Sequence, residues 1–262
     1  MDLQLNGRTA LVLGGSAGLG RATAEALASE GVATALIARD EGRLRAVADE
    51  ISTLSGVPSF GFAADIADFN RMSQAIDEAQ RELGPIDILI NNTGGPPPSR
   101  VLGVASQTWR AQFEAMVLSV IGITDRLVPA MRERKWGRVL TIASSVVVEP
   151  ASTLGMSNTL RSALVGWSKT LAGEVAHDGI TVNVLLPGLI ATARTRQLDR
   201  LAGERSSRLD SEIAAERALS IPVGRYGEVE EFGSVAAFLA SPKASYVTGS
   251  MIRVDGGSLR SV

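Results

Sequence analysis

The chain has 262 residues and not one cysteine. Disulfides, thiolate nucleophiles and cysteine-bound metals are therefore excluded, and the composition fits a reducing, cytoplasmic setting. Histidine is limited to His177, so no zinc site is expected and any histidine-based triad would depend on that one ring. His177 lies in Glu174-Val-Ala-His-Asp-Gly179, a helix end before a strand. A histidine there complements the helix dipole, which is a structural role. Tyrosine occurs only as Tyr226 and Tyr246, and aromatics make up 4% of the chain. No apolar run approaches the ~20 residues that cross a bilayer. The start, Met-Asp-Leu-Gln-Leu-Asn-Gly, has neither a basic nor a hydrophobic signal region. The net charge of −2 provides no basic field for nucleic acid. No linker, repeat or low-complexity tract divides the sequence, so a single domain over 1–262 is expected, large enough to bury its core without staples.

What the chain does have is a glycine-rich turn at its start. The apolar run Thr9–Leu13 ends at Gly14, Gly18 and Gly20 follow, and Arg21-Ala-Thr-Ala-Glu-Ala-Leu-Ala reads as a helix. Strand, glycine turn and helix N-terminus in that order make a phosphate cradle. The glycines let the backbone approach a pyrophosphate, and first-turn N–H groups with the helix dipole bind the anion. The spacing is G-x-x-x-G-x-G, which alone could be a tight turn; its place in the first strand–helix turn points to a dinucleotide.

Apolar runs alternate with helical patterns along the rest. Strands are expected at Thr9–Leu13, Thr34–Ala38, Ser59–Ala63, Ile86–Asn91, Gly137–Ile142, Thr181–Leu186 and Ser250–Val254. Helices are expected at Gly18–Glu30, Glu41–Leu54, Phe69–Leu83, Thr108–Lys135 and about Thr153–Ala176. Continuous apolar strands separated by helices predict an α/β fold: a single doubly wound parallel sheet with helices on both faces and ligands at the carboxyl ends of its strands. Arg194 to Arg217 is highly charged and weakly patterned. Within 191–220 it reads as a substrate lid, or else as solvated surface helix.

The second strand ends Leu36-Ile-Ala-Arg39-Asp40. An acidic side chain at this strand end binds a ribose 2′-hydroxyl, whereas arginine binds a 2′-phosphate. Ala38 holds the acid position and Arg39 follows it, so the cofactor is read as NADP(H), with Ser16 adding a hydroxyl at the helix start. Asp40 reads as the N-cap of the next helix.

Further matches accumulate: Asp65-Ile66 after the third strand, Asn91-Asn92-Thr93-Gly94 after the fourth, Ser144 closing the fifth, Pro187-Gly188-Leu-Ile190-Ala-Thr192 after the sixth, and Val254-Asp-Gly-Gly257 near the end. Together they resemble the short-chain dehydrogenase/reductase family, especially its 3-oxoacyl-carrier-protein reductase-like members, over nearly the whole chain. The resemblance implies a Rossmann-type fold in which Gly14, Ser16, Gly18, Leu19 and Gly20 line the phosphates. Asp65 and Ile66 would contact adenine, Asn92, Thr93 and Gly94 the adjacent ribose, and Pro187, Gly188 and Ile190 the nicotinamide carboxamide. Leu13 replaces a frequent threonine of the family and Thr93 a usual alanine.

The family's chemistry uses asparagine, serine, tyrosine and lysine, and here the pattern breaks. Ser144 matches the serine. The tyrosine position, thirteen residues on, holds Ser157, and the lysine position four beyond holds Arg161. The asparagine position holds Met116. Tyrosine, with a reference pKa of about 10, becomes a useful acid beside a lysine cation, whereas a serine hydroxyl is a far weaker acid and arginine keeps its proton. Ser157 and Arg161 are one helical turn apart, on one face. Arg161 could hold the ribose and stabilise an oxyanion near Ser144 and Ser157, with a water relayed through Ser157 as proton source. Lys169 is two turns beyond Arg161, too far to replace the lysine.

The expected activity is interconversion of a small-molecule carbonyl and a secondary alcohol with NADP(H), by a non-standard proton route. The alternative is a catalytically degenerate NADP(H)-binding module, acting as sensor or oligomer partner; a non-redox elimination is a third reading. Asn92 to Pro98, with its three prolines, reads as a stiff wall beside the nicotinamide. Trp109, Trp136 and Trp167 read as packing residues. The apolar faces of Thr108–Lys135 and Thr153–Ala176 resemble helices through which family members form tetramers, so a homo-oligomer, dimer or tetramer, is expected.

Overall fold

A computed structural model describes residues 1–261. Seven strands form one sheet: β1 (Thr9–Leu13), β2 (Ala33–Ala38), β3 (Ser59–Ala63), β4 (Ile88–Asn91), β5 (Gly137–Ile142), β6 (Ile180–Pro187) and β7 (Met251–Val254). Their order is β3-β2-β1-β4-β5-β6-β7, and every neighbouring pair is parallel. The inner strands are apolar throughout because both their faces are covered. Val12, Leu36, Ile90 and Leu140 pack with Leu27, Leu44 and Phe232 on one side. That side is covered by helices α1 (Gly18–Ser29), α2 (Glu41–Ser55) and α9 (Val229–Ala240). Leu11, Ile37, Leu89 and Val139 pack with Met72, Leu127 and Leu171 on the other. There the cover is α3 (Phe69–Leu83), α5 (Ser119–Glu133) and α6 (Gly155–Val175). Strand order reverses between β1 and β4, which opens a crevice at their carboxyl ends.

Local chemistry sets the helix starts. The Asp40 and Asp68 carboxylates accept from Arg43 N and Arg71 N, each at 3.0 Å, capping α2 and α3. The helix expected over Thr108–Lys135 is three segments. These are α4 (Ser106–Phe113), a π-helical turn (Glu114–Leu118) and α5, joined without leaving helical backbone angles. A π turn inserts one extra residue into the ladder, a distortion that hydrophobic periodicity cannot register. Lys135 falls outside the helix at φ +53°. The charged stretch after β6 folds as α7 (Ala193–Ser206) and α8 (Asp210–Leu219). They are joined by an ion pair from Arg217 to the buried Asp199 at 2.5 Å, and the Tyr226 hydroxyl also donates to Asp199 at 3.1 Å. At the other end of the sheet, the guanidiniums of Arg8 and Arg138 both lie over the Trp136 ring, 3.9 and 4.5 Å from its centre.

Candidate active site

The β1–α1 turn is built by close backbone approach. Gly14 has φ +63° and Gly18 φ +54°, in the left-handed region that glycine occupies freely. A β carbon on Gly20 would stand 2.3 Å from the Gly14 carbonyl oxygen, and one on Gly14 would stand 2.6 Å from the Asn92 side-chain nitrogen. Gly14, Gly20 and Asn92 are thus locked together. A notional β carbon at Gly18 would make only ordinary contact, with Thr192 the nearest neighbour at 3.6 Å. Helix α1 begins at Ala17 with no side-chain cap and no acid in its first turn, so its leading N–H groups are left for a ligand.

The other sequence-designated residues fall along the carboxyl edge. Arg39 is exposed at the end of β2 and makes no ion pair among the described residues. Asp65 is exposed after β3, its carboxylate accepting from Ala67 N at 3.0 Å, and Ile66 packs on the core behind it. Thr93 is buried after β4, and its hydroxyl has no partner. Gly188 N donates to Val254 O at 3.0 Å, while Ile190 is buried and pairs with Gly227.

Ser144 lies two residues after β5 and caps a short 3₁₀ turn; its hydroxyl accepts from Val146 N at 3.4 Å. Ser157 lies in the first turn of α6 and Arg161 one turn on, each only 9% exposed. The Arg161 guanidinium donates to Ile142 O at 2.9 Å and to Thr93 O at 3.5 Å. It thereby bridges the carboxyl ends of β5 and β4, next to Ser144 in the chain. Burial, with a smaller contribution from Arg194, pushes its pKa down to about 10, so it remains a cation at neutral pH. Met116 lies inside the π turn, buried against Val120, Leu160 and Leu164. Lys169 Nζ donates to Gly249 O at 3.0 Å, well away along α6.

Arg194 was not singled out by the sequence, although it opens the charged stretch. It stands in the first turn of α7, where Thr192 caps Thr195 N, and it donates to Pro96 O at 2.8 Å. A local signal existed: its helical neighbours three and four residues on are Gln197 and Leu198, so no acid on the helix neutralises it. The buried Pro96 carbonyl anchors it to the proline loop after β4.

A family model described as enoyl-(acyl carrier protein) reductase matches residues 14–258. The 3-oxoacyl-[acyl-carrier-protein] reductase FabG of Escherichia coli is 34% identical over 97% of this chain and 98% of its own. The chain belongs to the short-chain dehydrogenase/reductase family. The NADPH-dependent reductase BacG of Bacillus subtilis is 31% identical over 97% of this chain and 99% of its own. Among solved structures, L-sorbose reductase from Gluconobacter frateurii, complexed with NADPH and L-sorbose, aligns with a TM-score of 0.94 at 32% identity, covering 100% of both chains. The doubly wound sheet read from the strand pattern is the fold these family members share, and by family the chain is an oxidoreductase. No helix among the described residues is long and apolar enough to cross a membrane.

Proposed function

We propose that the chain is an NADP(H)-dependent reductase of a small carbonyl compound, working without the usual phenol. The carrying observation is the buried guanidinium of Arg161, held at the carboxyl ends of β4 and β5 one turn from Ser157. Several features suit the cofactor. A side chain at Gly18 would meet nothing closer than Thr192 at 3.6 Å, the α1 N-terminus has no side-chain cap and, among the described residues, the Thr93 hydroxyl beside the ribose position has no partner and Arg39 is an unpaired cation for a 2′-phosphate. In this reading Gly14, Ser16, Gly18, Leu19 and Gly20 hold the pyrophosphate. Asp65 and Ile66 flank the adenine, Asn92 to Gly94 the ribose, and Pro187, Gly188 and Ile190 the carboxamide. BacG and the sorbose reductase, both named with NADPH, support the same assignment.

When bound, NADPH supplies the hydride. The chain's own residues manage the charge that develops on the carbonyl oxygen. Ser144 and Ser157 donate to that oxygen, and Arg161 stabilises it as a fixed cation in a water-poor site, where preorganised donors contribute roughly 10²–10³ in rate each. The proton that completes the alcohol comes from bulk solvent: Ser157 gives its proton to the developing alkoxide and recovers one from a water that solvent reprotonates, so Arg161 stays charged throughout and no side chain is consumed as the net donor. Helices α7 and α8, within 191–220, act as the lid over the substrate. Exposed Phe113 and Leu118, at 39% and 41%, fit a homo-oligomer built through the faces of α4, α5 and α6.

The test follows NADPH absorbance across a panel of ketones, 2-oxo acids and 3-oxo acids. Turnover abolished by Arg161→Ala supports the proposal. An inert parent whose Ser157→Tyr/Arg161→Lys double variant reduces ketones overturns it in favour of a degenerate NADP(H)-binding module.

A further inference from the structure

Among the described residues, two buried arginines have no carboxylate partner, and their surroundings differ. Arg138 is the better partnered: its guanidinium stacks on Trp136 and makes three carbonyl contacts, to Gly137 O, Gly179 O and Ser241 O at 2.7, 3.2 and 3.3 Å. It holds the amino ends of the strands together, with an aromatic ring on its face. Arg161 has no aromatic partner among the described residues and only two carbonyl contacts, one of them at the 3.5 Å limit. A guanidinium has five N–H donors, so most of this group's capacity is unused although the residue is more than nine-tenths buried.

Arg161 also has a second cation beside it. A β carbon at Gly95 would stand 3.4 Å from Arg194 Nη2 and 3.8 Å from Arg161 Nη2, so both guanidiniums border the same point of the loop after β4. No carboxylate of the described residues lies within 4.0 Å of either. Arg194 itself uses two donors, to Pro96 O at 2.8 Å and to the Gln197 side chain at 3.1 Å. It stands in the first turn of α7, which contains no acid, so the positive end of that helix adds to the field. Burial lowers the pKa of Arg194, and the two charges disfavour each other. Two converging cations, one of them buried, are costly unless an anion joins them.

We propose that Arg161 and Arg194 form an anion subsite at the reaction centre, and that the carbonyl substrate is a 2-oxo or 3-oxo acid whose carboxylate docks there. The inference rests on the reductase reading for the place of the carbonyl, since Ser157 lies one turn from Arg161. Arginine's planar fork matches a carboxylate with two parallel hydrogen bonds. Both guanidiniums flank one loop position, so the carboxylate must lie close to the reacting carbonyl, which selects short spacings over long acyl chains ending in a distant charge. The proline loop holds Arg194 through the Pro96 carbonyl, so the subsite is positioned by the fold and not by a free side chain.

The experiment reads binding, so it does not depend on turnover. The NADP⁺-loaded protein is titrated calorimetrically with pyruvate, 2-oxobutyrate, acetoacetate and 3-oxohexanoate, and in parallel with their methyl esters. At least one acid is expected to bind at least tenfold tighter than its ester. Arg194→Gln is expected to erase that preference and Arg194→Lys to retain part of it, with NADP⁺ affinity changed less than twofold in both. Equal binding of acid and ester, or no heat from any acid, overturns the inference. A parallel loss of NADP⁺ affinity in Arg194→Gln also overturns it, because the guanidiniums would then serve the cofactor's phosphates. Failure of the reductase reading looks different: acids bind with the stated preference, yet no carbonyl oxidises NADPH.

Discussion

Arg161 Nη1 donates to the Ile142 carbonyl oxygen at 2.9 Å, tying the first turns of α6 to the last residues of β5. That bond fixes a buried cation two residues before Ser144 in the strand and one turn after Ser157 on the helix. Much of what can be measured on this protein follows from it.

Replacing Arg161 with methionine is expected to separate stability from activity. The substitution removes a desolvated cation with no carboxylate partner and loses two carbonyl contacts, so the balance favours folding by about 1 kcal/mol. Thermal unfolding should shift upward by about 2–4 °C for a chain of this size. Carbonyl reduction should fall by roughly 10²–10³. A variant that melts several degrees lower than the parent would show that the guanidinium holds the fold.

The pH dependence has a definite sign. Burial holds the Arg161 pKa at about 10, below the ordinary arginine range. The folded protein therefore binds this proton less tightly than the unfolded chain does. Its penalty on stability is full at neutral pH and fades only as pH rises above 10. Catalysis moves the other way: kcat/KM should decline as pH rises through about 10, when the cation is lost. A profile flat to pH 11 on protein that circular dichroism shows to be folded contradicts the role of the charge.

Cofactor choice is expected to turn on Arg39. A charge-assisted bond to phosphate is worth about 1.5–3 kcal/mol, so Arg39→Asp should weaken NADPH relative to NADH by about 10- to 100-fold. Paired titrations by fluorescence or calorimetry decide it. An unchanged ratio removes Arg39 from the site.

Gly18 and Gly20 of the cradle should fail for different reasons. A β carbon at Gly20 meets the Gly14 carbonyl at 2.3 Å, so Gly20→Ala must push apart the β1–α1 turn and abolish NADPH binding. Gly18→Ala meets nothing closer than 3.6 Å but is confined to φ +54°, a strain of about 1–2 kcal/mol. It should fold and bind the cofactor about 5- to 30-fold more weakly. Equal effects from the two variants would mean that packing, not backbone conformation, governs the turn.

Much of the architecture was legible along the chain. β1, β3, β5 and α3 begin and end where hydrophobic runs and Asp or Gly punctuation place them, and Asp40 caps α2 as its position implies. β4 begins two residues later than its apolar run, because Asp87 interrupts the run and instead accepts from Arg134 at the strand's foot. The π turn at Glu114–Leu118 left no mark in the pattern, since Met116 and Val117 still face inward and Glu114 outward, and one extra residue in the ladder changes no residue type. The charged segment from Arg194 to Arg217 was only weakly patterned, read as a lid or a solvated surface helix, because its helices are held by specific pairs such as Asp199 with Arg217 and not by an apolar stripe.

Sequence alone determined the sheet, the glycine-rich turn after its first strand and the absence of the expected phenol and amine, because each is written in local order: apolar runs, glycine spacing and residues one turn apart. Only the tertiary structure decided that Arg161 is buried without an acid and that Arg194 comes to the same loop as Arg161. Those facts depend on which strand ends and loops the crossovers bring together. No period in a linear chain encodes the electrostatic company a side chain will keep once distant segments are packed around it.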